Sequence, residues 1–104
     1  MLMKKIENVE QFKAAIASPT IAMFTATWCP DCHFIDPLMP EIEAENKDYQ
    51  FIAIDRDAFI DLAVEYEVMG IPSFIAFKDS EVIGRFVSKD RKTKEQVNDF
   101  IQSL

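Results

Sequence analysis

The sequence is poor in glycine, cysteine and histidine, and it has no long hydrophobic run. Its 104 residues include 2 Gly, 2 Cys and 1 His. No stretch approaches the ~18 consecutive apolar residues that a membrane-spanning helix requires, so we expect no membrane span. The N-terminus also has no uninterrupted apolar run of signal-peptide length. We therefore expect a cytoplasmic protein, in a compartment where thiols are kept reduced.

Positive charge is scarce as well. Eleven Lys and Arg residues face 18 Asp and Glu residues, which gives a formal net charge of −7. This balance disfavours nucleic acid and anionic membranes as partners. The one small basic cluster, at 89–94, is interpreted as solvated surface. With 49% hydrophobic residues and 9 Phe, the composition predicts a single globular domain over residues 1–104, and we expect a monomer.

Hydrophobic spacing and turn residues predict eight elements in the order helix, strand, helix, strand, helix, strand, strand, helix. Asn8 and Thr93, each followed three residues later by Gln, are typical N-caps. The four-residue turn at 78–81 forces its flanking strands into an antiparallel hairpin. The predicted strands are 20–26, 51–54, 73–77 and 82–87. The order indicates an α/β fold in which a central mixed sheet has helices on both faces.

The second predicted helix, over residues 30–46, contains two prolines. Pro37 and Pro40 predict a kink or break there, because proline removes a backbone donor and clashes with the preceding turn. We expect Phe34, Leu38 and Ile42 to form its buried face.

The two cysteines lie at C-x-x-C spacing. A link between Cys29 and Cys32 would close a very short loop and add little stability, so a chemical role is the better interpretation. The pair falls where the first long strand ends and a helix begins. Unpaired backbone N–H groups at a helix start favour the thiolate, which points to Cys29 as the nucleophile. Cys32, one turn further on, is placed to resolve a mixed disulfide.

Three neighbours of the cysteines are candidates for tuning them. Pro30 suits the first helical turn, where its missing N–H leaves no hydrogen bond unmade. Asp31 either complements the helix dipole or opposes the nearby thiolate, and the sequence leaves both interpretations open. Trp28 is expected to cover the pair. His33, the single histidine, is interpreted as a solvated surface residue, with a Cys–His nucleophile as the alternative.

At these residues the sequence resembles the thioredoxin family over nearly its whole length. The resemblance depends on the strand that leads into Trp28-Cys29-Pro30-Asp31-Cys32, on Pro37, and on Gly70-Ile71-Pro72 ahead of the hairpin. It implies a thioredoxin fold and thiol–disulfide exchange with protein substrates, followed by recycling through a separate reductase. It also implies that Pro72 is cis and lies beside the disulfide, and that Ile71 offers its backbone to an extended substrate segment. Met69 and Gly70 would complete this groove.

The sequence departs from the family at five positions, of which Pro30 and Asp31 replace the usual Gly-Pro between the cysteines. Met23 stands where thioredoxins carry a buried aspartate that helps to deprotonate the resolving thiol, and Phe51 replaces its lysine partner. Ser88 occupies the place of a groove glycine. Because the proton acceptor for Cys32 is missing, a redox-sensing or adaptor module with weak or no reductase activity stays open as the alternative function.

Parts of the cysteine motif also fit two other chemistries, haem attachment and zinc binding. Cys29 to His33 match the C-x-x-C-H pattern of haem attachment, but that modification normally occurs outside the cytoplasm and the predicted fold offers no obvious haem pocket. Zinc requires about four ligands, and two cysteines with one adjacent histidine supply too few. We therefore expect no metal and no organic cofactor.

Overall fold

The computed structural model describes residues 3–104, in which five strands form one mixed sheet. The strands are β1 (Lys4–Lys5), β2 (Thr20–Thr25), β3 (Gln50–Asp55), β4 (Ser73–Lys78) and β5 (Glu81–Phe86). The helices are α1 (Val9–Ile16), α2 (Pro30–Ile35), α3 (Met39–Glu45), α4 (Ile60–Glu65) and α5 (Lys94–Gln102), with a 3₁₀ turn at Asp36–Leu38.

The sheet has the strand order β1-β3-β2-β4-β5. The first three of these neighbours are parallel, whereas β4 runs antiparallel to β2 and β5 antiparallel to β4. The predicted α/β fold with a mixed sheet is therefore confirmed. Strand β1 was not predicted, because its two exposed lysines carry no strand pattern. It exists through its pairing with Ile52 and Ala53 of β3.

The region after the cysteines is broken as its prolines predict. Helix α2 ends at Ile35, and the 3₁₀ turn that contains Pro37 leads into α3. The predicted buried face was partly wrong, since Phe34 is 41% exposed. The buried side chains are Ile35, Met39 and Ile42. Their i, i+4, i+7 spacing matches a helical stripe better than the spacing that begins at Phe34.

Two apolar clusters form the core. One contains side chains from α1 and α4 together with both cysteines and alternate residues of β2. The other contains side chains from α2, α3 and α5, and it includes Met23 and Phe51. Because successive strand residues point to opposite sides, β2 contributes to both clusters. The Met23 side chain is completely buried, so an apolar residue fills the position where the family has an acid.

The predicted helix caps are present. The Asn8 side chain accepts a hydrogen bond from the Gln11 backbone N–H at 2.8 Å, and Thr93 and Gln96 form a reciprocal capping box. None of the helices found in residues 3–104 is long and apolar enough to cross a membrane.

Candidate active site

The C-x-x-C motif lies at the N-terminus of α2. Cys29 is the N-cap residue, and its sulfur accepts a hydrogen bond from the Cys32 backbone N–H at 3.1 Å. Pro30 occupies the first turn. Both cysteines are free thiols. Helix-start N–H groups stabilise negative charge, so the position of Cys29 suits a thiolate.

The two thiols differ in burial, and Cys32 is a weak acid. Cys29 keeps 4% of its surface exposed, whereas Cys32 keeps none. Burial raises the pKa of Cys32 from its ordinary 9.0 to about 11, and the hydrogen bond with Cys29 adds to this rise. The Thr25 side chain and the Ala26 backbone lower that pKa in part. Cys32 therefore retains its proton at neutral pH, and Cys29 is the more accessible sulfur.

The loop before β4 lies against the nucleophile. The Ile71–Pro72 peptide bond is cis, and the Ile71 carbonyl oxygen is 3.8 Å from the Cys29 sulfur, which donates to it. Gly70 lies directly on Ser88, and a Cβ atom built on this glycine would be 2.6 Å from the Ser88 carbonyl carbon. No side chain larger than hydrogen fits there. The structure therefore brings four of the expected groove residues into one wall beside Cys29.

Two of the expected site residues are exposed apolar side chains. Trp28 is 56% exposed and Met69 is 76% exposed. The indole N–H of Trp28 donates to the Asp57 carboxylate at 2.6 Å, and the Arg56 guanidinium lies 5.3 Å from the ring centroid. Asp57 and Arg56 were not predicted, because no local pattern connects them to a tryptophan 29 and 28 positions earlier in the chain.

Asp31 has a partner that the sequence analysis did not find. The Arg91 guanidinium forms an ion pair with its carboxylate at 3.0 Å, and the same guanidinium lies 4.5 Å from the Phe34 ring centroid. This cation covers the Phe34 ring. The prediction that 89–94 is only solvated surface was wrong, because Arg91 binds the motif and Lys92 is buried.

His33 is exposed on α2. Burial raises the pKa of Asp36, and the nearby His33 charge partly lowers it, so this histidine faces the carboxylate that directly follows α2. Within residues 3–104, no group of three or more His, Cys, Asp or Glu side chains could hold a metal ion.

A dithiol at a helix start, set beside a cis-proline on this mixed sheet, defines the class of thiol–disulfide oxidoreductases. The thioredoxin family model matches residues 3–103. The chain belongs to the thioredoxin family. A solved relative, the oxidised mitochondrial thioredoxin 3 of Saccharomyces cerevisiae, is 27% identical with a TM-score of 0.85, over 98% of this chain and 95% of that one.

Curated relatives give the same class. The mitochondrial thioredoxin-2 of Schizosaccharomyces pombe is 28% identical over 88% of this chain and 73% of its own length. The chloroplastic thioredoxin X of Arabidopsis thaliana is 35% identical over 85% of this chain, which spans about half (49%) of that relative. This chain is accordingly a thiol–disulfide oxidoreductase with protein-disulfide reductase activity.

The expected cytoplasmic location was wrong by the same comparison, since these relatives are named as mitochondrial or chloroplastic proteins. The expectation came from the lack of an apolar export segment. Organelle-targeting segments are amphipathic instead, so that lack bears on secretion only.

Proposed function

We propose that Cys29 is the attacking thiolate and Cys32 the resolving thiol. The Cys29 sulfur attacks one sulfur of a substrate disulfide, which forms a mixed disulfide and releases the other substrate sulfur as a thiolate that takes up a proton. Cys32, after losing its proton, then attacks the Cys29 sulfur. This step releases the second substrate thiol and leaves a Cys29–Cys32 disulfide. Two electrons pass from the dithiol to the substrate.

The observation that carries this assignment is the asymmetry of the pair. The Cys29 sulfur accepts a backbone N–H at 3.1 Å and keeps some exposure, whereas Cys32 is fully buried. A deprotonated sulfur is the better nucleophile and must also be reachable. The buried partner reacts only after the substrate is already attached one turn away.

The groove beside the pair supports an extended protein segment as substrate. Ile71 and Pro72 form the part of its wall next to Cys29, and Ser88 continues that wall through its contact with Gly70. The exposed side chains of Trp28 and Met69 give the rim an apolar character. In this proposal the protein works as a monomer without metal or organic cofactor. A separate reductase reduces the Cys29–Cys32 disulfide back to the dithiol. The protein thereby takes part in electron transport and in redox homeostasis.

Turbidity of insulin reduced by dithiothreitol tests the proposal. We expect the reduced wild-type protein to accelerate precipitation, and Cys29→Ser to fall to the rate of dithiothreitol alone. His33→Gln, on the same helix and exposed, serves as the matched control and should retain the wild-type rate. Loss of activity in His33→Gln would instead favour the Cys–His alternative.

The adaptor alternative depends on one observation, the buried Met23 where thioredoxins have an acid. Without that acid, loss of the Cys32 proton has no dedicated acceptor in the second core cluster. A wild-type protein that gives no acceleration over dithiothreitol would favour an adaptor or redox sensor and contradict the proposed reductase.

A further inference from the structure

Lys92 is a charged side chain where none is expected. It is 1% exposed, and no other Lys, Arg, Asp or Glu side chain of residues 3–104 is buried to this degree. Moving an ammonium group out of water is costly unless other groups compensate the charge. The groups that surround the Lys92 ammonium therefore determine whether its charge is stabilised.

The hydrogen bond of the Lys92 ammonium goes to a neutral group and not to an anion. Its Nζ donates to the Ser88 carbonyl at 2.6 Å and lies 5.8 Å from the centroid of the Phe86 ring. None of the ion pairs between described residues includes Lys92, although its neighbour Arg91 is paired with Asp31. An ammonium has three donors, and a neutral carbonyl and a ring face supply no full negative charge.

The position of that carbonyl places the ammonium against the loop that contacts Cys29. Ser88 packs on Gly70, and the next residue along the chain, Ile71, accepts from the Cys29 sulfur. From the other side, Arg91 holds the same segment onto Asp31, two residues after Cys29. Residues 88–92 thus form a strap, fixed at both ends of the site, with the Lys92 ammonium inside it.

The charges that face Lys92 include both thiols. Burial lowers the pKa of Lys92, and four acidic groups on the surrounding elements raise it: Asp90, Asp31, Cys32 and Cys29. Electrostatic coupling between two sites is reciprocal. If a thiolate makes the ammonium harder to deprotonate, the ammonium makes the thiolate easier to form by the same free energy. Asp31 is already paired with Arg91 and Asp90 is exposed to solvent, so the thiols are the acidic groups on the buried side of the ammonium.

We propose that Lys92 is a positioning residue whose buried ammonium, fixed on the Ser88 carbonyl, stabilises the Cys29 thiolate and sets the pH range in which Cys29 attacks. The inference rests on the proposed role of Cys29. The cation comes from the strap before α5. It also faces Cys32, which the Cys32→Ser background of the test removes.

The test isolates Cys29 by using a Cys32→Ser background. In this background, thiolate absorbance at 240 nm and the rate of iodoacetamide alkylation are measured as functions of pH. Three proteins are compared: the one that retains Lys92, the Lys92→Met variant and the Lys92→Gln variant. Methionine keeps the length and apolar stem of lysine, and glutamine keeps an N–H donor for the Ser88 carbonyl without charge. Lys89→Met, which removes an exposed cation from the same strap, is the matched control.

We expect both Lys92 variants to move the thiolate titration up by about half a pH unit or more, the size typical of a lost neighbouring charge. Alkylation at pH 6 then falls about 3-fold and returns to the reference rate at alkaline pH. Lys89→Met leaves the titration in place. An unchanged titration in the Lys92 variants, or an alkylation loss of equal size at every pH, overturns the proposal.

These readouts need no substrate protein, so they separate the two proposals. If the Lys92 variants shift the titration but the wild-type chain does not reduce insulin, the proposed function fails and the role of Lys92 stands. If insulin is reduced and the titration does not move, only the role of Lys92 fails.

Discussion

At the scale of single residues, the site works through a difference between two chemically identical side chains. Cys29 caps a helix and accepts one of its N–H groups, while Cys32, three positions on, is fully buried. In the proposed mechanism the reaction therefore starts at the sulfur that accepts the helix N–H and is completed by the fully buried thiol. The difference comes from the position of Cys29 at the helix start and from the burial of Cys32.

The acidity of Cys32 predicts an alkaline loss of stability in the reduced protein. Its pKa is about 11 in the fold, against an ordinary 9.0. Between these values the unfolded chain releases a proton that the folded chain retains, so the free energy of unfolding falls as pH rises. The stabilisation involved is on the order of 3 kcal/mol. It is present in full below pH ~9 and is lost by pH ~11.

Urea unfolding of the reduced protein from pH 8 to 11 measures this effect, with Cys32→Ala as the comparison. Tyr66, whose pKa is raised by burial and by Glu65, titrates in both proteins and cancels in the difference. We expect the wild-type curve to fall toward the variant curve as the pH rises. Parallel curves across the whole range would contradict the raised pKa of Cys32.

The sequence allowed the residues of local motifs to be predicted, and not those that arrive through long-range contacts. Cys29, Cys32 and the cis bond at Pro72 follow from C-x-x-C spacing and from the family pattern. Arg91 reaches Asp31 across 60 positions, and a run of charged residues in the sequence carries no sign of which one is buried. The buried Lys92 is therefore visible only in the fold.

At the scale of elements, capping and proline placement decided most boundaries. The helix starts at Asn8 and Thr93 and the break at Pro37 were predictable, because each depends on residues a few positions apart. The short strand β1 was not, since its two lysines form a strand only through their neighbour β3. Phe34 was wrongly predicted to be buried for a similar reason, because its partner Arg91 comes from the strap before α5.

The two glycines of the chain give an element-scale prediction about the strap. An alanine Cβ at position 70 meets backbone, with the Ser88 carbonyl carbon at 2.6 Å and the Lys89 Cα at 2.7 Å. We expect Gly70→Ala to destabilise the protein by about 1–3 kcal/mol, the usual cost of forced repacking, and to move the strap away from the cis-proline loop.

Gly84→Ala is the matched control, because its new Cβ meets the side chain of Leu104, which is 39% exposed at the chain end. That side chain can rotate away, so we expect a loss below about 1 kcal/mol. Urea unfolding of both variants measures the difference. An equal loss in the two variants would show that the close packing of Gly70 on the strap is not a constraint.

At the scale of the whole molecule, the mixed sheet explains why three distant segments meet. Strand β2 ends at the cysteine motif, and β4, its antiparallel neighbour, begins immediately after the cis-proline. Strand β5 returns beside β4 and delivers the strap to the same edge. The mixed character of the sheet and its terminal hairpin were predictable from element order and connection length, whereas the place of β1 was not. The organellar location named for the relatives was not predictable, because the pattern of core residues carries no information about location.

The central claim is that Cys29 attacks and Cys32 resolves, and trapping of the mixed disulfide tests it most directly. Reduced Cys32→Ser and Cys29→Ser proteins are each mixed at neutral pH with a peptide that contains one disulfide, then acid-quenched and weighed by intact mass spectrometry. We predict a stable peptide adduct on Cys29 in the Cys32→Ser protein and almost none in the Cys29→Ser protein. Equal adducts in both variants, or an adduct only on Cys32, would contradict the account.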